Sequence, residues 1–284
     1  MKTTRLLLPL SLLLIFSLAV ATSSLTAQPT AKLPWQREKI APGLVWQSVR
    51  TDQLYGSKQS INLLKVNTRK RQLSLAYVTD TLVRTSDLAQ AGKALAAINA
   101  GFFKIKEGAG SAAYLRVAGQ TIDDLPVEQD RKSLLNGAML LSDEGKAGIE
   151  YARSREAYNS FESDQTVLVT GPVLILDGNK QPLADDAFNS NRHPRTCACL
   201  LRRNKVLLLT VDGRNAEAQG MSLPELSDLL RSLGCKAAIN LDGGGSTTMW
   251  ISGKPDNGVV NYPSDNKLFD HFGERPVANA VLVE

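Results

Sequence analysis

The chain alternates short apolar runs with polar turns, and the runs are mostly too short and too rich in β-branched residues for helices. Strands are predicted at Leu44–Val49, Ile61–Val66, Leu73–Val78, Ala112–Val117, Leu134–Leu141, Val167–Val169 and Val173–Leu176. Further strands are predicted at Thr196–Leu201, Val206–Val211, Thr247–Ile251 and Val277–Val283. Helical periodicity is confined to Ser86–Gly92 and Ser222–Leu233. In the second helix Ser222 is placed to cap the N-terminus, Glu225 stands three residues on as in a capping box, and Gly234 supplies the stop. Strands outnumber helices too far for repeated βαβ units, so the expected class is α+β, a mixed, mainly antiparallel β-sheet core with a few helices in a single domain.

Two segments echo each other. Ala91–Asn99 and Leu233–Asn240 both read as a helix end, a glycine, a buried strand and an asparagine, and each asparagine is followed by a glycine-bearing loop. Two strand ends of this kind are expected to converge on one cleft, with Asn99 and Asn240 facing it.

The N-terminal pattern is different. Lys2 and Arg5 precede the apolar run Leu6–Val20, and small residues follow through Ala27. That order predicts a signal peptide at 1–27, since the run is shorter than the roughly 20 apolar residues of a membrane span. Residues 28–42, with Pro29, Pro34 and Pro42, read as an extended leader, leaving 43–284 as the folded domain. The mature protein is expected to be exported, periplasmic or extracellular, with no membrane insertion after cleavage.

Charge adds little. A formal net charge of +5 in 284 residues is too mild to suggest nucleic acid, and clusters such as Arg69-Lys70-Arg71 read as solvated turns. Three cysteines allow at most one internal disulfide. Cys197 and Cys199 point to one face of a strand, so Cys235 is a partner for either, and buried free thiols are the alternative.

Candidate chemistry concentrates in Asn240-Leu241-Asp242-Gly243-Gly244-Gly245-Ser246-Thr247. Consecutive glycines suit a backbone that turns tightly or approaches a ligand, and exposed N–H groups there suit an anion. Asp212-Gly213-Arg214 ends an apolar strand, and His193-Pro194-Arg195-Thr196 and Arg275-Pro276-Val277-Ala278-Asn279 place further arginines at strand ends. A guanidinium fork matches phosphate oxygens. With only His193 and His271 present and no G-x-S-x-G, a multi-histidine zinc centre is excluded and a serine triad is disfavoured. Carboxylate chemistry remains, with Asp212, Glu225 and Asp242 as candidates, although the capping box gives Glu225 a structural task.

Taken in order, Asn99-Ala100-Gly101-Phe102-Phe103, Thr170-Gly171-Pro172, His193–Thr196, Asp212–Arg214, Ser222–Leu226, Asn240–Thr247 and Arg275–Asn279 resemble the motifs of the phosphodiester glycosidase family. The resemblance spans about residues 95–284. Cys197-Ala198-Cys199 departs from the small apolar residues expected there. The resemblance implies an enzyme that cleaves the C–O bond of a sugar 1-phosphodiester, such as an N-acetylglucosamine-1-phospho-sugar, in glycan or exopolysaccharide processing. The roles that follow place Arg195, Arg214 and Arg275 on phosphate, Asp212 or Asp242 as base or nucleophile, and Asn99 and Asn240 on sugar hydroxyls. Gly243, Gly244 and Ser246 complete the substrate-binding set. Two alternatives stand beside it: a phosphodiesterase breaking P–O with Ca²⁺ or Mg²⁺ on Asp242, Asp212 and Asn240, and a non-catalytic binder of phosphate-bearing polysaccharide.

Overall fold

A computed structural model describes residues 33–105, 109–161 and 164–284. The strands in chain order are Gln36–Ala41 (β1), Leu44–Leu54 (β2), Ser57–Asn67 (β3), Leu73–Tyr77 (β4), Ala96–Asn99 (β5) and Leu115–Val117 (β6). They continue with Gln120–Asp123 (β7), Gly137–Leu141 (β8), Ala147–Tyr151 (β9), Thr166–Thr170 (β10), Val173–Leu176 (β11) and Asn179–Lys180 (β12). The last five are Arg195–Leu201 (β13), Lys205–Val211 (β14), Ala237–Asn240 (β15), Met249–Ile251 (β16) and Asn279–Val283 (β17). Four short α-helices accompany them: Thr85–Ala91 (α1), Arg155–Asn159 (α2), Ala187–Ser190 (α3) and Leu223–Ser232 (α4).

Three sheets result, in the orders β1-β2-β3-β14-β13-β15-β11-β12, β7-β6-β10-β8-β9 and β16-β5-β17-β4. Their strand pairs are antiparallel. The α+β class expected from the sequence is the class found.

The largest sheet is buried on both faces, which explains why its central strands read as continuous apolar runs instead of alternating ones. Successive side chains point to opposite faces. Leu64, Leu208, Ala198 and Ile239 face one core, shared with Leu75, Ile98, Met139 and Val281 of the smaller sheets. Leu63, Leu209, Cys197 and Cys199 face the other, where Leu226, Leu229 and Leu230 of α4 pack. The predicted capping box on α4 is present: the Ser222 side chain accepts from Glu225 N and Glu225 accepts from Ser222 N. Cys199 and Cys235 form a disulfide inside this second core, leaving Cys197 as a buried free thiol.

Several boundaries differ from the sequence reading; β6, β8, β16 and β17 begin two or three residues later than predicted. The ordered fold begins before Gly43, because Gln36–Ala41, assigned to the leader, pairs along β2 as the edge strand of the large sheet. An edge strand presents one side to water, and the polar stretch Gln-Arg-Glu-Lys carries no apolar signature for the pattern to register. The short helices α2 and α3, at five and four residues, are also too brief for a periodicity. The predicted signal segment, 1–27, lies outside the described residues.

Candidate active site

The echo between the two asparagine-ended strands has a structural meaning, although β5 and β15 belong to different sheets. Both run into the backbone at Leu241–Asp242. Leu241 N donates to Thr196 O at 2.8 Å and Asp242 N to Ala100 O at 2.8 Å, so this dipeptide bridges the sheets. Asn99 Nδ2 donates to Asp242 O at 2.7 Å, while Asn99 Oδ1 accepts from Thr196 Oγ1 at 2.8 Å and from Thr248 N at 3.0 Å. Asn240 Nδ2 donates to Gly171 O and Leu241 O, each at 2.8 Å. Both asparagines are fully buried. They converge as expected, but on the turn itself: their amides brace the backbone that carries Asp242 instead of facing a sugar. Asn240 Oδ1 alone is left without a partner.

The glycines act mainly through the space they leave. A Cβ on Gly243 would meet the Pro194 carbonyl at 2.6 Å, and one on Gly244 would stand 3.1–3.2 Å from the Arg214 guanidinium nitrogens, at a φ of +62°. On Gly245 it would run into Arg275 and Asp265 at 2.5 Å. The expected row of free N–H groups is largely closed. Gly244 N donates to Pro194 O, Ser246 N to Gly243 O and Thr247 N to Gly244 O.

The candidate arginines divide sharply. Arg214 is exposed, lies against Gly244 and makes no hydrogen bond or ion pair among the described residues. Arg275 is paired with Asp265, at 2.9 Å from Nε and 2.5 Å from Nη2. Arg195, expected to grip phosphate, is 1% exposed, and it donates to the carbonyls of Met221 (2.9 Å), Phe188 (2.6 Å) and Asn191 (3.0 Å). Its guanidinium also stacks over Phe188. Burial and then the neighbouring Arg214 lower it to about 10, so it stays charged at neutral pH and adds a fixed positive field. Burial, then Arg195 and Arg214, depress His193 in turn.

The three carboxylates separate in the same way. Glu225 closes the capping box at 3.0 Å and holds Arg192, with 3.0–3.1 Å from Nε and 2.5 Å from Nη2. Its proposed catalytic role gives way to a structural one. Asp212 is 1% exposed and accepts from Ser60 Oγ at 2.7 Å, Asn261 Nδ2 at 2.9 Å and Tyr262 N at 2.9 Å. Burial raises its pKa against those donors. Asn261 also donates to Thr247 O at 3.0 Å, so Asp212 braces the far side of the glycine loop. Asp242 differs from both: it is partly accessible, and burial lifts it to about 6 against the opposing pull of Ser246, Arg275, the Gly243 N–H and Arg214. The Ser246 hydroxyl, fully buried, does not itself complete a hydrogen bond. Asp242 and Arg214 thus stand out as a carboxylate and a cation that the protein leaves open.

Asn261, Asp265 and Ser60 also support this site and escaped the sequence reading, because each lies in a stretch without a local motif and acts through partners outside it. Among the described residues no three His, Cys, Asp or Glu side chains gather as a metal-ligand set.

A family model described as phosphodiester glycosidase matches residues 92–284. The chain belongs to the phosphodiester glycosidase family. The match covers every candidate site residue and excludes β1–β4, so Ser60 stands outside the stretch shared with the family. Among curated relatives, mouse N-acetylglucosamine-1-phosphodiester alpha-N-acetylglucosaminidase is 26% identical over 182 residues, covering 59% of this chain and 33% of the mouse protein. The bovine enzyme of the same name is 40% identical over 65 residues, 23% of this chain and 11% of its own length. This phosphodiester glycosidase family member therefore spans a third or less of the length of those relatives. The zebrafish catalytic domain, in a structure described as auto-inhibited by its pro-peptide, superposes with a TM-score of 0.68 at 17% identity, covering 91% of this chain and 94% of that one. At that identity the likeness speaks for the fold.

Proposed function

We propose that this chain hydrolyses the glycosidic C–O bond of a sugar 1-phosphodiester, with the phosphate against Arg214 and Asp242 acting at the sugar carbon. The observation that carries the reading is the pair itself: a braced, partly accessible carboxylate beside a guanidinium with no partner of its own. Family membership supports the reaction class.

The chemistry follows from the leaving group. Breaking the sugar C–O bond releases a phosphate monoester, which departs far more readily than an alcohol, so a strong general acid is less needed than in ordinary glycoside hydrolysis. Positive charge at the departing oxygen takes its place. Arg214 meets that need directly, Arg195 adds to the field from within the core, and Arg275 is held beside the loop by Asp265. Asp242 is ionised above a pH of about 6, as a base for water or a nucleophile toward the anomeric carbon requires. Water supplies the oxygen of the free sugar, and the phosphate keeps all of its own. The N-acetylglucosamine 1-phosphodiester in the relatives' names is the first substrate to offer. The signal-like order of residues 1–27 supports action outside the cytoplasm, on glycans or exopolysaccharide.

The decisive experiment incubates purified protein with an N-acetylglucosamine 1-phosphodiester in ¹⁸O-water, with and without chelator. Label in the free sugar and none in the phosphate is expected. Label in the phosphate, or release of sugar 1-phosphate that stops with chelator, replaces this reading with the metal-dependent phosphodiesterase. Binding without turnover leaves the non-catalytic polysaccharide binder.

A further inference from the structure

A cavity of about 540 Å³ lies between the β2–β3 face of the large sheet and the segment 254–262. That volume is in the range of small-molecule sites. Its sheet wall is set by register. Trp46, Ser48 and Arg50 stand opposite Leu64, Asn62 and Ser60, so all share the face that carries Asp212 two strands along. Ser60 lines the cavity and also donates to Asp212. Two strand spacings, roughly 10 Å, separate β3 from β13, where the Pro194 carbonyl holds the glycine loop.

The polar atoms of this wall point to a ligand. Trp46 Nε1 donates to Asn62 Oδ1 at 3.1 Å. An indole N–H only donates, so the bond fixes the amide oxygen on that side and leaves Asn62 Nδ2 as a donor without a partner among the described residues. Asn62 is only 3% exposed and lines the cavity. On the opposite wall His271 Nδ1 meets Asn261 O at 2.6 Å, which assigns the proton there and leaves Nε2 4.0 Å from Asp256 Oδ2. Lys254 is paired with Glu38 and seated over the Trp46 ring, whereas Arg50 lies 3.6 Å from Glu217, which Lys58 also holds at 3.2 Å, and packs over the Tyr262 ring. An anion entering here would meet the Asp256 carboxylate on the cavity wall. An apolar ligand would bury the free Asn62 N–H unsatisfied.

We propose that this cavity is a second binding site, for a neutral, hydroxyl-rich sugar unit. A donor at Asn62 Nδ2 and an acceptor at His271 Nε2 suit a polyol that accepts from the first and donates to the second. The site stands apart from the hydrolytic reading, because it is filled by sugars that carry no phosphate.

Saturation-transfer NMR and tryptophan fluorescence on the full chain, titrated separately with N-acetylglucosamine, maltose and inorganic phosphate, test it. Saturable binding of at least one neutral sugar is expected, undisturbed by phosphate. Ser48→Tyr fills the cavity and Asn62→Ala removes the donor, and each should weaken that binding by about tenfold or more. Ser48→Tyr keeps the test open if Asn62→Ala loosens the fold. Failure of both sugars to bind, or binding of undiminished strength in Ser48→Tyr, overturns the proposal whatever the outcome of the hydrolysis assay.

Discussion

Asn99 Nδ2 donates to the main-chain carbonyl of Asp242 at 2.7 Å, joining the ends of two strands 143 residues apart. The same side chain accepts from Thr196 and Thr248, so one amide ties the candidate carboxylate to both sheets. Asn99→Ala would leave three buried polar groups without partners. A loss of roughly 2–4 kcal/mol is expected, seen as a melting temperature lower by several degrees, together with reduced turnover in the protein that remains folded. An unchanged melting curve would show that the loop does not depend on this brace.

Asp242→Asn is nearly isosteric and should melt close to the parent while turnover falls roughly 10²–10⁴-fold, the range for a positioned acid-base group. The parent's pH profile carries a second signature. Because the folded pKa is about 6 instead of the ordinary 3.8, the active ionised form is present above 6, and kcat/KM should fall as pH drops through that value. The fold responds in the opposite direction: between 3.8 and 6 the native state binds the extra proton, so this group's contribution to stability falls as pH rises through that window. Near-normal turnover of Asp242→Asn without added metal would remove Asp242 from the chemistry. Activity restored by a calcium or magnesium titration would make it a ligand.

Arg214→Ala separates binding from folding. The guanidinium makes no hydrogen bond or ion pair among the described residues, so stability should change by less than about 0.5 kcal/mol. Loss of a phosphate partner should weaken kcat/KM by roughly tenfold or more. Arg195→Ala is the contrast: three carbonyls lose their donor, and destabilisation should dominate. Steady-state kinetics beside thermal melts distinguish the two patterns.

The disulfide closes a loop with a sequence separation of 36. Loop-closure entropy for that length corresponds to roughly 3–4 kcal/mol. Urea unfolding of the Cys199→Ser, Cys235→Ser double variant should reveal a loss of about that size at an unchanged fold, and a variant as stable as the parent would show the bridge to be dispensable.

Export is read from the order of charges, apolar residues and small residues in 1–27. N-terminal sequencing of protein recovered outside the cytoplasm should begin after Ala27 or nearby. An intact Met1 in the membrane fraction would contradict it.

The sequence by itself determined what local physics dictates. Short β-branched runs made the strands, Ser222 and Glu225 made the cap of α4, and the glycine triplet marked a place where backbone needed room. It also held the ordered motifs that carry the family, because motif spacing is a property of the chain. The tertiary structure decided which polar groups are free. Asp212 and Asp242 are alike in sequence, each following an apolar strand and preceding glycine, yet Ser60, Asn261 and Tyr262 occupy the first while the second is left partly open beside Arg214. The arginines divide likewise, with Arg195 committed to main-chain carbonyls and Arg275 to Asp265. Those partners lie up to 152 residues away. Whether a charged group is consumed or available depends on what long-range folding brings within about 3 Å of it, and no local pattern carries that.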